Sequence, residues 1–275
     1  MGILNVTPDS FYDGGRHLES PLSQFETLVA EGADIIDIGA ESSRPGSERI
    51  SAEEELSRLR PVFKYLKSQI ANRKSQISID TTKSVVAREA LWSGATIVND
   101  ISALRADPEG MTLLLGEFPN SRVVLMHMQG YPKEMQNNPR YKDVVSDISS
   151  FFEERLRYLD HHEINRNRVI LDPGIGFGKT LEHNLTILKN LNVFKNAFGL
   201  PILIGASRKS MIGTILDGLP PENRLEGSLA VALWCAGERV DYLRVHDVAA
   251  TRRALTVWSA LAKDKEEAEM QNGHF

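Results

Sequence analysis

Eight short runs rich in Ile, Val and Leu recur along the chain, and this spacing limits the fold more than any other feature. They are GILNV (2–6), DIIDIG (34–39), QISID (76–80), TIVND (96–100), RVVLMH (122–127), RVILD (168–172), PILIGA (201–206) and DYLRVH (241–246). Most are apolar at both odd and even positions. A strand reads that way when its sheet is covered on both faces, as in a parallel sheet. The segments between them read as helices: residues 20–32 closing on Gly32, 51–70, 82–94 closing on Gly94, 143–164, 181–199, 221–237 and 247–263. Ser51 with Glu54 three residues later forms a capping-box pattern, and Pro61 inside that segment should kink it. Eight strands alternating with helices predict an α/β fold, the (β/α)8 TIM barrel. A doubly wound open sheet is the alternative, but no dinucleotide fingerprint follows the first strand. Residues 1–264 read as one barrel domain and 265–275 as a charged, disordered tail. The first run begins almost at Met1, so either the barrel floor is open or a preceding segment lies outside this sequence.

The stretch PGIGFGKT (173–180) looks like a phosphate-binding loop. The spacing refuses that reading. A P-loop needs Gly five residues before the final Gly-Lys pair, and Pro173 stands there. Proline has a locked φ and no N–H to offer a phosphate. The G-x-G-x-x-G pattern fails as well, because Lys179 occupies the third glycine position. Lys179 therefore reads as a surface or loop residue.

Charge and composition exclude several classes. With 32 Lys plus Arg against 37 Asp plus Glu, the net charge of −5 gives no global basic field to draw the chain to nucleic acid. No apolar run reaches membrane-spanning length, and the N-terminus lacks the pattern of a signal peptide. The single cysteine, Cys235, permits no intrachain disulfide, which suits a reducing, cytoplasmic setting.

In such barrels the active site forms at the C-terminal strand ends, and here these ends are polar. The first run reaches Asn5 and the second is followed by Glu41, Ser42, Ser43, Arg44 and Pro45. The next four end in Asp80, Asn99-Asp100, His127 and Asp172. The last two lead into Ser207-Arg208-Lys209 and carry Arg244 and His246. Arg244 and His246 share a strand face, as do Asp80 with Ser78 and Asp172 with Ile170. Asp100 and Asp247 stand just before helices and read as caps. Carboxylates and an Asn suit a flat heterocycle with amino and amide edges, since a carboxylate accepts two parallel N–H bonds. Lys209, Arg244 and His246 suit an anionic group. The implied ligand has a planar polar ring and a phosphate tail.

The segments GILNVTPDSFYDGG, DIGAESSRPGS, DPGIGFGK, GASRKSMIG and LRVHDV, in this order, resemble the dihydropteroate synthases of folate biosynthesis across essentially the whole chain. That family condenses a hydroxymethyl-dihydropterin pyrophosphate with p-aminobenzoate, with magnesium. The resemblance implies a pterin slot of Asp80, Asn99, Asp172, Phe177, Lys209 and Arg244, and a pyrophosphate site of Asn5, Arg244 and His246 with Asn5 near magnesium. It implies a p-aminobenzoate pocket of Phe11, Ser43, Arg44, Pro45, Lys209 and Ser210, closed by loops containing Asp9 and Ser10. Catalysis would fall to Asp80, Lys209, Arg244 and His246. Sulfonamides are the implied inhibitors and a homodimer through the late helices the implied assembly.

Other residues read more plainly. His161 and His162 lie on a charged helix and read as solvated. His127 could line the pocket, and Met126 and Met128 read as pocket wall or core. A Schiff base at Lys209 fits less well than an anion site. The rival functions are a corrinoid-linked pterin methyltransferase and a catalytically silent pterin-binding homologue.

Overall fold

The computed structural model describes residues 1–6, 20–42, 46–69 and 74–272, with side chains through residue 262. Its elements follow the expected alternation: β1 Gly2–Asn5, α1 Pro21–Ala30, β2 Ile35–Gly39, α2 Ala52–Gln69, β3 Gln76–Asp80, α3 Ser84–Trp92, β4 Ile97–Asp100, α4 Pro108–Glu117 and β5 Arg122–Met126. Then come α5 Val144–His161, β6 Val169–Asp172, α6 Leu181–Lys189, α7 Leu191–Phe198, β7 Leu203–Ile204, α8 Ser210–Ile215, α9 Leu225–Gly237, β8 Tyr242–Leu243 and α10 Val248–Asn272.

The strands close a ring. β1 to β6 pair in sequence order, all parallel, and β7 pairs with β8 in parallel. Two bridges join these parts. Leu171 pairs with Ile202, and its N–H donates to Pro201 O at 2.9 Å. Gly2 pairs with Val245, with Ile3 N donating to Val245 O at 3.0 Å and Val245 N to Met1 O at 2.9 Å. Every strand thus has two neighbours, and the sheet is the expected barrel with no free edge.

Both faces of the strands are buried, which explains their unbroken apolar runs. Ile35, Ile97, Val124, Ile170 and Leu203 pack together inside the ring, with Met1 and Tyr242 against them. A larger cluster, including Leu4, Ile36, Ile38, Ile79, Val98, Leu125 and Leu171, packs between the ring and the helices. Side chains on the inner face therefore alternate with those of the outer core. Carried toward the C-terminal ends, the inner positions are Asp37, Asp80, Asn99 and Asp172.

Several helix signals act locally. Ser20 accepts from Ser23 N at 3.2 Å, with Pro21 in the first turn. Ser51 accepts from Glu54 N at 3.1 Å, but Glu54 turns to Arg58, so the box is half made. The chain leaves α1 and α3 through Gly32 and Gly94, both with positive φ. α2 runs on through Pro61. The segment read as one helix over 181–199 is two, broken at Asn190, which has φ −126° and ψ 27°. α4 was not among the helices expected, although Asp107 as N-cap with Pro108 and Glu109 in the first turn marks its start. α10 runs through Asn272, past the expected start of the tail.

Candidate active site

The inner positions meet at the C-terminal end of the ring. Asp37 lies in the middle of β2, fully buried. Its Oδ2 accepts from Asn99 Nδ2 at 3.0 Å and from Arg244 Nε at 2.6 Å. Arg244 turns its other arm to Asp80, with Nη2 donating to Oδ2 at 2.8 Å. Register sets these contacts: Gly39 of β2 pairs with Asp80 and Asp80 with Asn99. A Cβ on Gly39 would lie 3.2 Å from the Asp80 Cβ, so the glycine makes room for the carboxylate. Burial opposes the Arg244 charge, but Asp37, Asp80 and Asp172 together raise its pKa. Burial pushes the Asp80 carboxyl up to about 7, with Arg244 pulling it back. Asp37 was not among the residues singled out from the sequence. An acid in an otherwise apolar strand, two residues from Ile35 on the inner face, was the available signal.

The facing wall comes from β6 and the glycine loop. Asp172 Oδ1 accepts from Gly174 N at 2.7 Å. Burial raises the Asp172 pKa against the pull of Lys209. Lys209 Nζ donates to Ile175 O and stands 4.4 Å from the centre of the Phe177 ring. Burial lowers its pKa to about 8, opposed by Asp172. Gly174, Gly176 and Gly178 have φ of 70°, 81° and 63°. A Cβ on Gly174 would fall 1.9 Å from His127 O, and one on Gly178 2.4 Å from Gln129 O. The glycines therefore let this loop press against the chain leaving β5. Thr180 ends the stretch as the N-cap of α6, in a capping box with His183.

Three expectations change here. Lys179 is not at the surface: it is 3% exposed and bonded to His127 and Phe177. Asp247 does not spend its carboxylate on a helix cap but holds Arg208 by Nε at 2.9 Å and by Nη2. Asp100 caps no helix either, since α4 begins at Pro108; it binds a turn, accepting from Ser102 N at 2.7 Å and Leu104 N at 2.9 Å. It thereby fixes a turn in which Ala103 and Leu104 have positive φ.

Asn5 lies at the end of β1, paired with Gly39 and on the inner face. His246 Nδ1 is 3.1 Å from Ser207 Oγ, which also accepts from His246 N. Ser210 opens α8 and is exposed. Met126 and Met128 are buried with Met135 against Phe177. His161 and His162 are exposed. Asp9, Ser10, Phe11, Ser43, Arg44 and Pro45 lie outside the described residues. Beside Asp80 opens a cavity of about 630 Å³, bordered by Glu41, Ser42, Thr81, Ile101 and Tyr131. That is room for a small organic ligand. Three carboxylates and an amide, opposed by one guanidinium and one ammonium, can read both donor and acceptor edges of a polar ring.

The comparisons agree with this geometry. Residues 1–246 match the family described as pterin binding enzyme. The dihydropteroate synthase of Haemophilus influenzae is 45% identical over 264 residues, covering 95% of this chain and 93% of the relative. That of Escherichia coli K12 is 44% identical over 268 residues, covering 97% and 92%. Among solved structures, the Yersinia pestis enzyme in a sulfonamide drug complex superposes with a TM-score of 0.86 at 41% identity, covering 96% of this chain and 94% of that one. The Xanthomonas albilineans enzyme with 4-aminobenzoic acid gives 0.86 at 42% identity, covering 95% and 92%. An apolar ring interior, a polar C-terminal mouth and this likeness over nearly the full length lead to one conclusion: the chain belongs to the dihydropteroate synthase family of pterin-binding enzymes.

Proposed function

We propose that the chain condenses hydroxymethyl-dihydropterin pyrophosphate with p-aminobenzoate, releasing pyrophosphate and dihydropteroate. The observation that carries this reading is the gathering of Asp172 and Lys209 with Asn99 and the Asp37–Arg244–Asp80 chain, close enough that Asp172, Arg244 and Asp80 all act on the Lys209 charge. Asp172 would accept the guanidine-like edge of the pterin as a pair of parallel N–H bonds. Lys209 would donate to its carbonyl side, Asn99 and Asp80 would take the remaining ring edge, and Phe177 would form a wall.

Arg244 and His246 would hold the leaving pyrophosphate and stabilise the charge that grows on it as the C–O bond breaks. The acids would favour the positive charge that develops on the pterin methylene. Cleavage ahead of attack follows from that stabilised cation, and the neutral aromatic amine that then attacks needs no strong base. Its nitrogen attacks the methylene carbon, and its proton passes to solvent or pyrophosphate. Phe11, Ser43, Arg44, Pro45, Lys209 and Ser210 would shape the p-aminobenzoate pocket, where a sulfonamide would compete.

Magnesium suits the donor set in one form. Among the described residues no group of three or more His, Cys, Asp or Glu could hold an ion. The inner face offers the Asn5 amide instead. Such a site fits an ion that takes most of its ligands from substrate phosphates and water. When bound, it would neutralise charge on the pyrophosphate. We also infer a homodimer through the late helices, where Trp234 of α9 and Val257 and Leu261 of α10 are half or more exposed. The reducing setting implied by one buried cysteine makes the cytoplasm the proposed location.

The test is pyrophosphate release from the pterin pyrophosphate with magnesium, with and without p-aminobenzoate. Release matched by dihydropteroate is expected. Pterin binding without release would mean a silent homologue, and methyl transfer to a corrinoid partner would mean the methyltransferase.

A further inference from the structure

The lysine of the glycine loop has no part in the chemistry above, yet it is among the most buried charged side chains near it. Its Nζ meets three acceptors: His127 Nδ1 at 3.0 Å, His127 O at 3.3 Å and Phe177 O at 3.0 Å. An ammonium has three donors and no acceptor, so these contacts satisfy it completely. Burial holds its pKa well below the lysine range, with Asp172 opposing and Lys209 adding to the effect. His127 is neutral, its pKa pushed down to about 2 by burial and by Lys179. The pair is satisfied in either state. If Lys179 is a neutral amine, the His127 Nδ1–H can donate to it.

The neighbouring contacts give this bond its meaning. Four consecutive carbonyls of the loop each accept from a side chain. Ile175 O accepts from Lys209, Gly176 O from Gln136 Nε2 at 2.5 Å, Phe177 O from Lys179 at 3.0 Å, and Gly178 O from Tyr141 Oη at 2.8 Å. Gly176 N donates to Asn184 Oδ1 at 2.7 Å. Three glycines with positive φ give this loop little stiffness of its own. Its shape is imposed by side chains, and Lys179 supplies the tie at Phe177 itself, the residue whose ring lies against Lys209.

We infer that Lys179 is a positioning residue, the centre of a brace with Gln136 and Tyr141 that joins the glycine loop to the end of β5 and fixes the Phe177 wall. The brace sets affinity for the flat heterocycle. This inference rests on the pterin reading of the site. Lys179 touches neither reacting atom and binds no phosphate.

The test is a double-mutant cycle on the full chain: wild type, Lys179→Met, Phe177→Ala and both together. Each is titrated with 6-hydroxymethylpterin by fluorescence, and KM is measured for each substrate. Lys179→Met should weaken pterin binding about tenfold and raise KM for the pterin pyrophosphate to match. Turnover at saturating substrates, kcat, should stay within about twofold, a KM-against-kcat split that general loosening of the fold would not produce. On the Phe177→Ala background, Lys179→Met should add less than about threefold. Unchanged pterin affinity in Lys179→Met, or a full additional tenfold loss on Phe177→Ala, would overturn the inference. If Lys179→Met fails to fold by circular dichroism, Tyr141→Phe and Gln136→Leu serve instead. Each should lose about three- to tenfold in pterin affinity with kcat at saturating substrates unchanged, and wild-type pterin affinity in both would reject the brace. A wild-type protein that binds no pterin would reject the functional reading and this inference together, whereas a binding wild type beside an unaffected Lys179→Met rejects the inference alone.

Discussion

At the scale of single residues, burial governs the charges of the site. Lys209 titrates near pH 8 because burial opposes its ammonium. Substrate binding that needs the charged lysine should therefore fall above about pH 8. The check is kcat/KM for the pterin substrate from pH 6 to 10; Lys209→Arg should move the alkaline limb upward. Stability responds in the opposite sense. Between about pH 8 and the ordinary lysine value the unfolded chain binds the extra proton, so this group's contribution to folding grows as pH rises through that window. Urea melts at pH 7.5 and 9.5 on wild type and Lys209→Met isolate it: the wild type should gain relative to the mutant at the higher pH. Asp37 is the second case. Removing it by Asp37→Ala takes away the fully buried partner of Arg244 and leaves Asn99 without its acceptor. The expected cost is about 3 kcal/mol in chemical denaturation, the range for breaking a buried pair, with loss of turnover as Arg244 loses its orientation.

At the scale of elements, the strands were legible because each is apolar on both faces, and so were the polar strand ends. What local pattern does not encode was harder to read. Asn190 breaks a continuous amphipathic stretch through its backbone conformation, with its side-chain amide donating back to Thr186 O at 2.8 Å. Asp37 was hidden inside a strand whose neighbours are apolar, and its role appears only when Arg244, far along the chain, folds onto it. Lys179 follows three glycines and looks solvated until the loop is seen pressed on β5. The glycine loop carries its own prediction. Gly174 combines a φ of 70° with a Cβ position 1.9 Å from His127 O. Gly174→Ala must move the loop or the end of β5, and should abolish pterin binding while lowering Tm. By contrast Gly46 has no atom of the described residues within 4 Å of its Cβ position. Gly46→Ala should cost only the strain of its positive φ, about 1 kcal/mol, measured on the same melt.

At the scale of the whole molecule, barrel closure ties the site to global stability. The two bridges that complete the ring join β6 to β7 and β8 to β1. The site draws Asp37 from β2, Asp80 from β3, Asn99 from β4 and Asp172 from β6, and it draws Lys209 and Arg244 from beyond the ends of β7 and β8. No part of the ring can open without dispersing these groups. Unfolding should therefore be a single cooperative transition, coincident by far-ultraviolet circular dichroism and by tryptophan fluorescence from Trp92, Trp234 and Trp258. A ligand that binds the closed ring must stabilise that whole transition. At a concentration about 100 times its Kd, 6-hydroxymethylpterin should raise the unfolding free energy by about 2.7 kcal/mol. If β7 and β8 instead separated early from the sheet of β1 to β6, two transitions would appear. Only the earlier would then respond to the pterin, because Lys209 and Arg244 would already have left the site when the second began.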